Sequence, residues 1–177
     1  MPNAAGGPAL VVFAGLPGAG KTTLARGVAR HLGAAYLRVD TVEQALRDAG
    51  TLPAGVGAEG YSVLYRVAAD NLALGRPVVA DLVNPLAVTR DAWRRVAERA
   101  GARLVDVEVV CSDPAEHRRR VEGRAGDVAG LVLPTWADVE ARAAEYEAWD
   151  RTRVVVDTAG RSPGACLTGL LSALDAR

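Results

Sequence analysis

Hydrophobic and polar positions divide the 177-residue chain into two kinds of run. Short apolar stretches bounded by turn residues, at 10–14, 34–39, 77–81, 103–111 and 154–157, predict five buried strands. Between them, apolar residues recur at helical spacing over about 20–33, 41–49, 59–74, 85–100, 115–123, 135–149 and 162–174. The boundaries carry their own signals. Gly33 and Gly75 end helices, Thr41 or Asp40 caps the second, and Asp113-Pro114 and Ser162-Pro163 open later ones. Thr135 and Asp138 have the form of a capping box. Strand and helix alternate without internal repeat, which predicts a parallel α/β sheet in a single domain.

One strand breaks the pattern. Asp106 and Glu108 alternate with Leu104, Val105, Val107, Val109 and Val110, whereas a strand covered on both faces is nearly all apolar. The expectation is that one face of its early part is solvated.

The first strand-to-helix junction carries the chemistry. Gly15-Leu16-Pro17-Gly18-Ala19-Gly20-Lys21-Thr22 satisfies G-x-x-x-x-G-K-[ST], followed by Thr23. Glycines there let backbone N–H groups turn toward a polyphosphate, the lysine reaches the terminal phosphates, and the Thr22 hydroxyl is placed to ligand Mg²⁺. The helix that follows adds the positive end of its dipole. Composition sharpens this: of 21 basic residues every one is arginine except Lys21. A P-loop needs a compact ammonium on a flexible stem, which a planar guanidinium does not replace.

Other candidates sit at strand ends, where open α/β sheets bind ligands. Asp40 follows the second strand, and Asp81 closes Val78-Val79-Ala80-Asp81, the form of a Walker B strand whose acid holds Mg²⁺. The Gly/Pro-rich loop 50–57 reads as a flap, and Tyr61, Tyr65, Asn84 and Arg90 are candidates for an acceptor wall. Helix solvation is the expected role of Arg90. Arg120 and Arg124 share a helix face at the base of a breaker-rich lid at about 124–135, positioned to close on ATP. His117 presents no recognisable partner and is expected to be structural.

Global composition excludes little else. Charge balances at zero, with 5% aromatic residues, so there is no overall pull toward nucleic acid or an anionic membrane. Two cysteines, Cys111 and Cys166, make neither a disulfide framework nor a metal spacing. The start of the chain lacks a basic leader and no apolar run approaches a membrane span, so a cytoplasmic protein, monomer or homodimer, is expected.

Over nearly its whole length the chain resembles P-loop small-molecule kinases of the adenylate-kinase-like and chloramphenicol phosphotransferase-like type, grouped with AAA-family ATPases. Besides the P-loop, Arg38-Val39-Asp40-Thr41-Val42-Glu43 is similar to the stretch in chloramphenicol phosphotransferase whose aspartate is the general base. Arg120-Val121-Glu122-Gly123-Arg124 resembles the Arg-x-x-Gly-Arg entering adenylate-kinase lids, where the first arginine stacks on adenine and the second meets phosphates. Asp157-Thr158-Ala159-Gly160 is similar to the loop that touches adenine. The resemblance implies a three-layer sandwich with sheet order 2-3-1-4-5, ATP and Mg²⁺ as cofactors, Asp40 as base, and Thr158 and Gly160 at the adenine.

The expected activity is transfer of the γ-phosphoryl group of ATP to a hydroxyl of a small molecule. The aromatic, apolar acceptor segment favours an uncharged or amphipathic acceptor, such as an antibiotic, another secondary metabolite or a sugar-like compound. Among basic residues only Arg38, Arg47, Arg66 and Arg90 could meet an anionic one. Alternatives are a polynucleotide, RNA-end or nucleoside kinase, and a nucleotide-gated switch or toxin-like ATPase.

Overall fold

The computed structural model describes residues 7–50 and 57–176. Five strands form one all-parallel sheet in the order β2-β3-β1-β4-β5. These are β1 (Ala9–Ala14), β2 (Ala35–Arg38), β3 (Val78–Asp81), β4 (Arg103–Val110) and β5 (Val154–Asp157). Among the described residues seven helices join or follow them: α1 (Lys21–Leu32), α2 (Val39–Asp48), α3 (Glu59–Ala73), α4 (Ala87–Ala100), α5 (Pro114–Gly123), α6 (Trp136–Ala144) and α7 (Pro163–Asp175). The three-layer α/β sandwich and its strand order are as the resemblance implies.

Strand periodicity builds the two faces. Along β1, Val11 and Phe13 point into a core with Leu24 and Val28 of α1 and Leu170 of α7. Leu10 and Val12 point the other way, against Leu64 of α3 and Trp93 of α4. Each such side chain contributes roughly 1.5–3 kcal/mol by leaving water. In register, Phe13 lies beside Asp81 and Ala14 beside Glu108, so the strands end together and present their following loops on one rim.

Two boundaries and one environment differ from expectation, each for a reason beyond the local sequence. Helix α2 starts at Val39, with Arg38 extended at its N-cap position and no side-chain cap. Val39 is buried against the α3 side, so the helical period begins there and Asp40 lies in the first turn. Helix α6 stops at Ala144 because the backbone beyond it is engaged elsewhere: Glu147 N–H donates to Pro85 O, and the Glu147 and Ala148 carbonyls accept from Arg90.

In β4 only Arg103, at its start, is exposed, and the two acids are not solvated. Asp106 is 4% exposed and Glu108 is buried as well. Glu108 accepts from Trp149 Nε1 and Arg153 Nε, and Asp106 faces Arg151 at 3.9 Å. The segment after α6 therefore brings cations to the acids of β4. The expected flap at 50–57 falls largely on residues outside those described. Cys166 is buried, Cys111 is half-buried, and both are free.

Candidate functional site

The loop after β1 is built by contacts that only glycine permits. Gly15, at φ 130°, donates its N–H to Val83 O at 3.0 Å, and a Cβ there would lie 2.1 Å from Val109 O. Gly18, at φ 83°, leaves room for Val121 of α5, which a Cβ would meet at 2.5 Å. Gly20 occupies the N-cap of α1 with no side chain to cap it, leaving the first N–H groups for an anion. Lys21 is buried and folds back to donate to Leu16 O at 2.9 Å. Burial lowers its ammonium to about 8, against the opposing charges of Asp81 and Asp40.

His117 is a site-supporting residue that its sequence context hid. Its Nε2 lies 2.8 Å from Pro17 O, and because a carbonyl only accepts, the ring must carry its proton there. Trp136 packs edge-on at 5.3 Å. Helix α5 thus holds the loop from outside.

A cleft of about 840 Å³ opens beyond the strand ends. Lys21, Thr22, Asp40, Asp81, Arg120 and Arg124 all line it. The Asp40 carboxylate is 42% exposed and accepts from Arg38 Nη2 at 3.1 Å. Asp81 is buried and accepts from the Tyr36 hydroxyl at 2.7 Å; burial, and then the charge of Asp81, push that phenol well above its usual range. Burial also lowers Arg124, where Asp40 opposes and the nearby Arg38 and Arg142 add to the effect.

A second cavity of about 360 Å³ adjoins the loop, lined by Gly18, Gly20, Thr23, Arg120, Thr158 and Cys166 among others. Arg120 donates to Thr158 Oγ1 at 2.8 Å and to Thr158 O at 3.0 Å, and pairs with Glu116. Glu116 in turn accepts from Gly160 N–H at 2.9 Å. The Thr158 hydroxyl lies 2.9 Å from Ala19 O and 3.0 Å from Val110 O. Arg120, Thr158 and Gly160 are therefore joined, next to the P-loop.

The predicted acceptor wall is not there. Arg90 is fully buried and neither solvates its helix nor meets the cleft. It donates to the carbonyls of Asn84, Pro85, Glu147 and Ala148 and lies 4.2 Å from the Trp149 ring centroid. Tyr61 accepts the Asn84 N–H, and Tyr65 donates to Thr89 O and packs on Trp93. Asn84, at φ 49°, is fully buried. The two tyrosines pack, partly buried, against the core of α3 and α4, and Arg90 ties the turn at 84–85 to the segment after α6. Beside Asp40 the cleft is lined instead by Arg38 and by Glu43, Gln44 and Arg47 of the same helix, and Arg142 of α6 and residues 131–134 line it too.

For a hard divalent cation the donor set is small but suitable. Thr22 offers a hydroxyl, and Asp81 keeps one carboxylate oxygen clear of Tyr36. No group of three or more His, Cys, Asp or Glu is placed to hold a metal among the described residues. That fits Mg²⁺ arriving with phosphate oxygens and water, which needs few protein ligands.

Comparison with known proteins agrees with this architecture. A family model described as an AAA domain matches residues 10–146. Uncharacterized proteins of Mycobacterium bovis and Mycobacterium tuberculosis are 32% identical over 164 residues, covering 85% of this chain. The chain spans about a third (32%) of the length of those relatives. Among solved structures, a gluconokinase from Sinorhizobium meliloti superposes with TM-score 0.69 at 17% identity, covering 97% of this chain and 94% of that one. A sugar kinase from Janibacter sp. gives 0.70 at 20% identity, with 95% of each covered. The Mycobacterium tuberculosis APS kinase CysC, in complex with AMPPNP and APS, gives 0.67 at 25%, covering 97% and 99%. Among the described residues no helix is long and apolar enough to cross a membrane.

Proposed function

The chain belongs to the AAA-domain family, and from that premise we propose that it is an ATP-dependent phosphotransferase acting on a hydroxyl of a small molecule. The observation that carries this is the meeting of Lys21, Thr22 and Asp81 with Asp40 on one cleft. The first three are what a triphosphate and its cation require. The fourth is a base across from them.

The triphosphate lies along the loop 15–22, its base in the smaller cavity beside Arg120 and Thr158. Bound Mg²⁺, held by Thr22 and Asp81, would offset negative charge on the phosphate oxygens. Tyr36 keeps Asp81 oriented. Asp40, oriented in turn by Arg38, takes the proton from the acceptor hydroxyl as that oxygen bonds to the γ-phosphorus and the bond to the β-phosphate oxygen breaks. Lys21 and Arg124 neutralise the charge that spreads over the transferring group, where most of the catalysis in phosphoryl transfer lies. Segment 124–135 acts as a lid that excludes water. The hydrogen-bonding side chains of α2 and α6 favour a polar, polyhydroxylated acceptor over a flat aromatic one.

The test is acceptor-dependent ADP release from ATP and Mg²⁺ with a panel of hydroxylated metabolites. Asp40→Asn is expected to lower kcat by roughly 10²- to 10⁴-fold, the scale of a general base, with nucleotide affinity nearly unchanged. ADP release that ignores every acceptor would instead make the protein a nucleotide hydrolase, and full turnover by the Asn variant would remove Asp40 from the mechanism.

A further inference from the structure

One cluster in the cleft joins Arg38, which orients Asp40, to two groups that phosphoryl transfer does not use. Asp127, in the segment between α5 and α6, reaches across to two arginines 101 and 89 positions earlier in the chain. Its carboxylate accepts from Arg26 of α1 at 2.7 Å, and both its oxygens accept from Arg38 Nη1 at 2.9 Å. Arg38 is only 9% exposed, and its buried Nε has no hydrogen-bond partner among the described residues. A guanidinium in so dry a place needs anions around it. One is Asp40, and the other comes from a distant loop. Beyond Asp127 the same segment closes on α2, where a Cβ on Gly130 would lie 3.1 Å from Gln44 Nε2.

Resting on the phosphotransferase reading above, we propose that Arg26 and Arg38 form an anion-binding subsite for the acceptor, and that Asp127 fills it while no acceptor is bound. The acceptor then carries a carboxylate or phosphate group as well as the hydroxyl that is phosphorylated. This revises the uncharged acceptor expected from the tyrosines, which do not line the cleft. Three features support the assignment. The Asp127 pairs with Arg26 are solvent-screened, with side chains 43% and 41% exposed, so another anion can exchange for the carboxylate. Arg38 is shared: one terminal nitrogen faces Asp127 and the other faces Asp40, so an anion in Asp127's place lies one guanidinium width from the proposed base. That spacing suits a hydroxy acid or a sugar phosphate. Finally, displacing Asp127 unties segment 124–135 from α1 and β2, so acceptor entry and lid movement become one event.

The experiment compares the wild-type chain, Asp127→Asn and the double variant Asp127→Asn/Arg38→Gln, each first shown by circular dichroism to be folded. Inorganic phosphate is titrated calorimetrically without nucleotide. Binding at the P-loop is common to all three, so only differences count. The single variant is expected to bind phosphate at least tenfold more tightly than wild type, and the double variant to lose that gain. Equal binding by all three overturns the subsite. The second arm offers ATP with glucose against gluconate, and ribose against ribose 5-phosphate, to wild type. Preference for the anionic member supports the proposal and tells carboxylate from phosphate, and turnover of only the neutral members overturns it. A phosphate gain without acceptor-dependent ADP in either pair or across the panel of hydroxylated metabolites leaves the subsite standing and removes the kinase reading, so the two failures are separable.

Discussion

At the scale of single residues, Lys21 carries a charge that burial disfavours before a ligand arrives. Burial brings its ammonium down to about 8 from an ordinary 10.5. The folded chain therefore releases this proton before the unfolded chain does. Stability rises with pH between about 8 and 10.5, and the cost of the buried ammonium is fully present below 8. A triphosphate reverses the balance, because its charge favours the ammonium. Binding of an ATP analogue at pH 8.5 is expected to take up protons, and at pH 6.5 to take up almost none. Calorimetry in buffers of different ionisation enthalpy measures this, and equal uptake at the two values would mean that Lys21 is not desolvated in the free protein. Tyr36 invites a second residue-scale test. Its hydroxyl fixes one oxygen of Asp81, so Tyr36→Phe is expected to raise the Mg²⁺ concentration for half-maximal activity several-fold while leaving metal-free nucleotide binding unchanged.

At the scale of elements, β4 is where chemistry and local sequence disagree most. Burial raises the Asp106 carboxyl to about 6, with Arg151 and Arg90 opposing. Because the folded value lies above the unfolded 3.8, the folded chain holds this proton longer. Stability contributed by the neutral acid is present below about 4 and is lost as pH rises through 6, by an amount of order 2–3 kcal/mol. Asp106→Asn removes the titration. The stability of the variant relative to wild type is expected to grow across pH 4 to 6 and to stay level above, read from urea melts at each pH. A parallel pair of curves would place the carboxyl in water. This strand also shows what the sequence could and could not convey. The P-loop was legible because strand, glycines, lysine and helix lie within a few consecutive residues, and each constrains the next. The helical and strand periods of β1, α1 and α4 were legible for the same local reason. Asp106 and Glu108 looked solvated because the arginines and Trp149 that accompany them arrive some 40 residues later. Arg90 and Asp127 were opaque in the same way: their partners lie tens of residues off, at spacings that carry no periodic signal. Tyr61 and Tyr65 misled because one aromatic spacing serves a pocket wall and a core equally well.

Across the whole molecule, the three segments expected to hold a nucleotide are already tied together. Arg120 of α5 bonds Thr158 after β5, and Thr158 reaches Ala19 in the loop after β1. His117 adds a second tie from α5 to that loop through Pro17. A ligand seated there stabilises elements from the start, middle and end of the chain at once. A nucleotide analogue at a hundred times its Kd adds about 2.7 kcal/mol to the folded state, which for a chain this long raises Tm by roughly 5–10 °C. Arg120→Ala removes the joint between helix and loop. It is expected to lower Tm without ligand by a few degrees, since several partly buried hydrogen bonds go, and to shrink the rise at the same nucleotide concentration. The second effect is the discriminating one. A structural role alone would shift both melts equally and leave the increment intact, whereas a guanidinium forming one wall of the base cavity loses increment and stability together. Melts of the two proteins with and without AMPPNP measure both quantities, and an undiminished increment in the variant would move the base away from Arg120 and out of the smaller cavity.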